Sequence, residues 1–273
     1  MSFFTTSDGV ELYYTEHGTG TPIVLSHGWP LNSDAWQLER KLFADAGYRV
    51  IAHDRRGHGR SAPTYSGNDI ETYAKDLAEL VESLDLHDLI VVGHSTGGGE
   101  VIKYAAKYGQ GRVVKVVTAG GIPPLMLQTE ANPEGAPIDV FDGIRQGTAS
   151  DRAQYFWELS AAFYGTNREG SDISEGVRRD FVRQGLAGDL AAMYDCIRAF
   201  SETDQTEDLV ALDVPVLLLH GDDDQIVPVQ AASEKAIGLL KHGSLKLYPG
   251  RPHGIAGSFQ TELDQDILDF VRS

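Results

Sequence analysis

Short unbroken apolar runs alternate along the first half of the chain with longer segments whose apolar residues recur every three or four positions. Ile23-Val24-Leu25, Val50-Ile51-Ala52, Leu89-Ile90-Val91-Val92 and the Val-rich Val113–Thr118 have the length and β-branched content of strands buried on both faces. Gly9–Glu16 alternates instead, as a half-buried strand does, and runs into the turn residues Gly18-Thr19-Gly20-Thr21-Pro22. Ile70, Tyr73, Ala74, Leu77, Leu80, Val81 and Leu84 fall on one face at helical spacing, which predicts an amphipathic helix over 70–84. Another helix is predicted over 35–46, with Asn32, Ser33 and Asp34 as possible caps and Gly47 as its stop. Strand and helix in turn, with continuous apolar strands, indicate a mostly parallel sheet covered on both faces.

The pattern changes after Gly120-Gly121-Ile122-Pro123-Pro124. From about 125 to 208 the periodicity is helical and aromatic residues are frequent. The strand pattern resumes at Val214–His220, followed by a predicted helix near 229–240, a strand at 244–248 and a last helix from about 259 to 271. The expected organisation is an α/β core made of 1–124 and 209–273, with 125–208 inserted as a helical cap.

Composition narrows the class without choosing a function. The 273 residues are 41% hydrophobic and 23% charged, ordinary for a globular chain. The 40 acidic against 23 basic residues give a formal charge of −17, a field that disfavours nucleic acid and anionic membranes as partners. Cys196 is the single cysteine, so an internal disulfide and a cysteine-based metal site are excluded. The first residues lack a basic segment followed by an apolar one, and no run reaches a membrane span's length, so a cytoplasmic protein is expected.

Candidate chemistry begins at Gly93-His94-Ser95-Thr96-Gly97, between the apolar run 89–92 and a helix-like segment 98–106. A G-x-S-x-G pentapeptide in that context reads as a nucleophile elbow. The turn is so sharp that side chains two positions either side of the serine would collide, hence glycine. Ser95 is thereby raised at a helix N-terminus, where backbone N–H groups favour a developing oxyanion. A serine hydroxyl needs a base and the base needs an orienting group, in the chain order Ser, Asp or Glu, His. Candidates for both follow later strands: Asp222, Asp223 and Asp224 after Leu219, and His253 after Tyr248. The residue after the nucleophile and the loop after an early strand supply the oxyanion hole, here the backbone N–H groups of Thr96 and Trp29.

Taken together these motifs resemble the α/β-hydrolase superfamily, and within it the cofactor-free haloperoxidases (perhydrolases) and related aryl esterases. The resemblance rests on His27-Gly28-Trp29-Pro30, the run His53–Ser61, Gly93–Glu100, Ala199–Asp204, His220–Pro228 and Pro252-His253-Gly254, in that order along nearly the whole chain. It implies Ser95 as nucleophile, His253 as general base and, of the three aspartates, Asp224 as the orienting acid. It also implies no cofactor, a small-molecule ester substrate with hydrogen peroxide as an alternative acceptor to water, and an assembly of identical chains. Peroxide attack on an acyl-serine gives a peracid, which oxidises halide without haem or metal.

Pro30 is read either as a turn former or as the residue that moves a nearby carbonyl toward the acyl group, favouring peroxide. Ile122, Trp157, Phe163, Phe200, Ile226 and Val227 are candidates for an apolar substrate pocket, although aromatics at helical spacing equally build a cap core. The histidines His27, His53, His58 and His94 show no metal-ligand spacing, and Gly97-Gly98-Gly99 lacks the lysine of a phosphate loop, so no metal is expected. Amide or lactam hydrolysis would use the same residues. A dehalogenase or epoxide hydrolase would need aspartate at 95; the alternative of another class is a non-catalytic ligand receptor on the same fold, which the intact Ser95, Asp224 and His253 disfavour although some receptors keep all three. Arg251, just before Pro252-His253, has no assigned role.

Overall fold

The computed structural model describes residues 2–255 and 260–273. Eight strands form one sheet in the order β1-β2-β4-β3-β5-β6-β7-β8. They are β1 (Ser2–Thr5), β2 (Glu11–His17), β3 (Pro22–Ser26), β4 (Arg49–His53), β5 (Leu89–His94), β6 (Val113–Ala119), β7 (Val216–Gly221) and β8 (Gly243–Tyr248). β1 pairs antiparallel with β2 and β2 with β4, and every pair from β4 through β3 to β8 is parallel. The apolar runs occupy β3, β4 and β5, which are almost wholly buried.

The helices are α1 (Gln37–Asp45), α2 (Ile70–Ser83), α3 (Thr96–Lys107), α4 (Ile138–Thr148), α5 (Arg152–Phe163), α6 (Glu175–Leu186), α7 (Leu190–Glu202), α8 (Thr206–Ala211), α9 (Ser233–Ala236) and α10 (Gln260–Arg272). α2 buries Ile70, Tyr73, Ala74, Leu77, Leu80 and Val81, the face its periodicity marked, and Asp69 caps it by accepting the Thr72 N–H at 2.8 Å. One side of the sheet packs Ile23, Val50, Val92 and Leu219 against α1 and α10 through Phe43 and Ile267. The other packs Val24, Ile51, Val91 and Val116 against α2 and α3 through Leu77 and Val101. Among the described residues no helix is long and apolar enough to cross a membrane.

Three elements differ from expectation. The first helix opens with a 3-10 turn, Ser33–Trp36, because Asn32 caps early by accepting the Asp34 N–H. The segment 229–240 holds just the four-residue α9, since Ala231 and Ala232 both donate to the Pro228 carbonyl and the chain runs on in turns. β1 is an exposed edge strand whose four residues carry too little pattern to declare themselves.

Between β6 and β7 lie the four helices α4 to α7, whose shared cluster includes Phe141, Phe156, Phe181 and Met193. The short α8 joins the sheet side instead: Asp208 pairs with Lys103 of α3 at 2.6 Å. The chain passes from β3 outward to β4 and then returns to β5 on β3's other flank. That reversal leaves a crevice past the carboxyl ends of β3 and β5, the place where open α/β sheets bind ligands.

Candidate active site

Ser95 stands directly on that crevice. Its backbone has φ 55° and ψ −119°, a conformation a non-glycine residue adopts where the surroundings impose it. What imposes it is the closeness of strand and helix. A Cβ on Gly93 would lie 2.2 Å from the Gly97 carbonyl oxygen, and one on Gly97 would lie 2.3 Å from the Ser26 carbonyl oxygen. Ser95 precedes α3 without using its hydroxyl as a cap, so Oγ is left for other work. Thr96 is the first residue of α3, and its N–H is one of those a helix leaves without an internal partner.

The Trp29 N–H is aimed from behind. His27 accepts the Arg55 N–H on Nε2 at 3.0 Å, which leaves the proton on Nδ1 to donate to the Gly28 carbonyl at 2.9 Å. Leu31 N–H donates to the same carbonyl at 3.0 Å. In a trans peptide the Gly28 C=O and Trp29 N–H point opposite ways, so fixing one fixes the other. Burial, with Arg55 close by, holds the His27 imidazole neutral, its pKa well below the ordinary value. The Trp29 indole donates to the Met193 carbonyl at 3.0 Å, tying this loop to α7. The Trp29–Pro30 bond is cis.

Beneath the elbow is a buried ion pair that the sequence reading missed. Glu100 of α3 accepts from Ser26 Oγ at 2.7 Å, Arg55 Nε at 2.8 Å and His53 Nε2 at 2.8 Å. Arg55 also donates to the His27 carbonyl at 2.7 Å. Burial works to raise the Glu100 carboxyl, but Arg55 and His53 hold it down at about 2. The network joins β3, the β4 loop and α3, so the oxyanion loop and the elbow share one support. A lone glutamate amid the apolar residues of a helix was the available signal.

The other side of Ser95 carries His253 and Asp224. His253 Nδ1 lies 2.7 Å from Asp224 Oδ2, with both side chains inaccessible to solvent. Asp224 Oδ1 accepts the Ile226 and Val227 N–H groups, each at 2.8 Å, and His220 Nε2 is 3.1 Å from Oδ2. Burial raises the Asp224 carboxyl, but His253 and His220 hold it well below the usual carboxylate range. The pair sits on the end of β6: Ser95 N–H donates to Ala119 C=O at 3.0 Å. Gly120 follows at φ +54°, where a Cβ would come within 3.2 Å of His253 Nδ1. The neighbouring aspartates are engaged elsewhere, Asp222 on the Gly250 N–H and Asp223 on the Arg168 guanidinium at 2.6 Å. Of Arg251, the backbone carbonyl accepts the Asp223 N–H at 3.2 Å.

His94 ties the two sides together. Its Nε2–H donates to the His253 carbonyl at 3.1 Å, and burial keeps its pKa down at about 3, so the ring is a neutral strut. Phe163 meets the His253 ring edge-on at 4.8 Å, and its carbonyl accepts the Gly254 N–H at 2.7 Å. His253 Nε2, the nitrogen not facing Asp224, is buried with no hydrogen-bond partner among the described residues.

Ser95 and Thr96 open into a mainly apolar cavity of about 230 Å³ walled by Trp29, Ile122, Phe163, Phe200, Ile226 and Val227. Met126, Val140, Ile144, Leu159, Ala162 and Gln225, not singled out from sequence, complete it. Two pocket candidates lie elsewhere. Trp157 is half-buried and off the cavity wall, with the Arg178 guanidinium stacked 3.9 Å over its ring. The Pro30 ring is not on the cavity wall and lies against Gly185 of α6.

A strained serine at the tight turn between a central parallel strand and its helix, in a sheet of this order, defines the class as α/β hydrolase. The chain belongs to the α/β-hydrolase fold family, whose model matches residues 21–256. It is 52% identical, over the whole length of both chains, to a non-heme haloperoxidase of Rhodococcus erythropolis. It is 45% identical, again over both whole lengths, to a bifunctional esterase/perhydrolase of Acinetobacter calcoaceticus. Among solved structures, a bromoperoxidase from Bacillus anthracis superposes with a TM-score of 0.94 at 35% identity, covering all of each chain.

Proposed function

We propose that this protein hydrolyses small carboxylic esters through an acyl-serine and transfers the same acyl group to hydrogen peroxide when peroxide replaces water. The observation that carries this is the His253–Asp224 contact of 2.7 Å beside a serine on an elbow, at the floor of an apolar cavity. Ser95 Oγ attacks the ester carbonyl as His253 Nε2 takes its proton. The Trp29 and Thr96 N–H groups receive the oxyanion, and Asp224 holds the imidazole and balances its charge. The alcohol leaves with the proton from His253. Water or peroxide then attacks the acyl-serine, giving acid or peracid and restoring the hydroxyl. A carboxylate held ionised by several donors suits Asp224 to stabilising an imidazolium, not to accepting a proton.

The apolar walls fit short aliphatic or aromatic acyl groups. Residues 125–208 act as the cap that closes the cavity, through Ile144, Leu159, Phe163 and Phe200. A cytoplasmic location and an assembly of identical chains go with this reading, the latter tested by sedimentation. The deciding assay is peracetic acid formed from an acetate ester and hydrogen peroxide, comparing the wild type with Ser95→Ala. The wild type is expected to form peracid far above the variant. Acetate without peracid would reduce the protein to a plain esterase, and equal turnover by Ser95→Ala would overturn the mechanism.

A further inference from the structure

A second cavity, of about 370 Å³, lies on the other side of Phe163 from the apolar one. Phe163 is the residue that walls both. The second cavity reaches His94, the neighbour of Ser95 in the chain, and Gly254, the neighbour of His253. Its lining is mixed, more polar than that of the apolar cavity: Asp34, Asp180 and Gln184, between the 3-10 turn and α6, stand among apolar residues such as Leu31, Trp36 and Val177. Those polar groups are already matched. Asp34 pairs with Arg60 at 2.9 Å and Arg183 at 3.0 Å, while Gln184 donates to Asp180 at 2.7 Å. A cavity with compensated charges, in a chain of formal charge −17, suits a small neutral hydroxylic molecule rather than an anion.

We infer that this mixed-lined cavity is the supply route for the acyl acceptor, water or hydrogen peroxide, and that the Phe163 ring partitions it from the acyl pocket. The inference rests on the acyl-serine reading above. Once an acyl group fills the apolar cavity, a polar reactant has no wetted path from that side, because its walls offer few hydrogen bonds. The acceptor still has to reach His253 Nε2, which is buried, has no partner among the described residues, and stands edge-on to Phe163. In the step itself the acceptor oxygen bonds to the acyl carbon while its proton passes to His253 Nε2. The tetrahedral intermediate then expels Ser95 Oγ, which recovers that proton, leaving acid or peracid and no net redox change.

The test narrows this cavity in two separate variants, Val177→Trp on α6 and Ala35→Phe on the 3-10 turn. Neither residue is in the catalytic machinery. The acylation burst with p-nitrophenyl acetate reports an intact fold and acyl pocket, and is expected to stay within about twofold. The kcat/KM for hydrogen peroxide and the rate of deacylation by water are expected to fall at least about fivefold. Unchanged peroxide dependence and water deacylation in the variants that burst normally would overturn the route. So would a parallel loss of acylation and deacylation. If the wild type shows a burst but no peracid, the peroxide half of the proposed function fails instead, and water deacylation in the same variants still decides the route.

Discussion

Replacing Asp224 by asparagine is the most exacting test of the site, because the structure dictates how the new side chain must sit. Oδ1 accepts two backbone N–H groups, from Ile226 and Val227, at 2.8 Å each. The amide oxygen has to keep that position, since an NH2 there would set donor against donor twice. The NH2 group is therefore forced into the place of Oδ2, 2.7 Å from His253 Nδ1. Nδ1 must then become an acceptor, the proton moves to Nε2, and the nitrogen needed as base is blocked. The imidazolium also loses its counter-charge. A wrong tautomer of this kind lowers kcat by about ten-thousandfold, or about 5 kcal/mol of barrier. The assay is the acylation burst and steady-state kcat on an acetate ester, with thermal unfolding as the control for structure. Asp222→Asn, whose carboxylate serves the Gly250 N–H, is expected to keep most of its activity. Asp224→Asn within tenfold of wild type, with the fold intact, would refute the assignment.

Phe200→Ala should favour longer acyl chains by about fourfold in kcat/KM for each extra methylene accommodated, because Phe200 walls the apolar cavity. Trp157→Ala should leave chain-length preference unchanged, as that ring lies under Arg178; a p-nitrophenyl ester series compares the two. Arg55→Met should cost about 3–5 kcal/mol, because it leaves Glu100 buried without its main counter-charge, and urea unfolding measures it. Stability should fall as pH drops below about 6. His58 and His94, both held down at about 3 by burial, stay neutral in the fold while the unfolded chain takes up protons near the ordinary histidine value. His27 is held neutral in the same way, while Asp264, raised to about 7 by burial, and Asp76, raised to about 6 by burial, oppose two of the three histidines. The net is about 1.4 kcal/mol per pH unit from these five groups. Below about pH 4 the depressed carboxyls of Glu100 and Asp224 add to the loss, since the unfolded chain protonates them first. Denaturant midpoints at pH 7, 6, 5 and 4 check the sign, and a flat profile would contradict it.

The sequence by itself determined what depends on neighbours along the chain. Parallel strands covered on both faces have to be apolar without interruption, so β3, β4 and β5 were legible, and β6 through its valines although Lys115 interrupts it. The elbow was legible because one tight turn demands glycine at fixed offsets from Ser95. The helix near 229–240 was overread, because its apolar periodicity outlasts the hydrogen bonding that turns at Pro228 impose. What joins distant segments was decided by the tertiary structure. Three consecutive aspartates are equivalent in sequence, and it is the loop's path that sends Asp223 to Arg168 and Asp224 to His253. Trp157 and Phe163 sit on one helix, and its rotation places one under Arg178 and the other against His253. Glu100 meets Ser26, His53 and Arg55 across 45 to 74 residues of chain. Hydrophobic periodicity is written locally because burial acts residue by residue, whereas a buried polar contact depends on where two separate backbones come to rest.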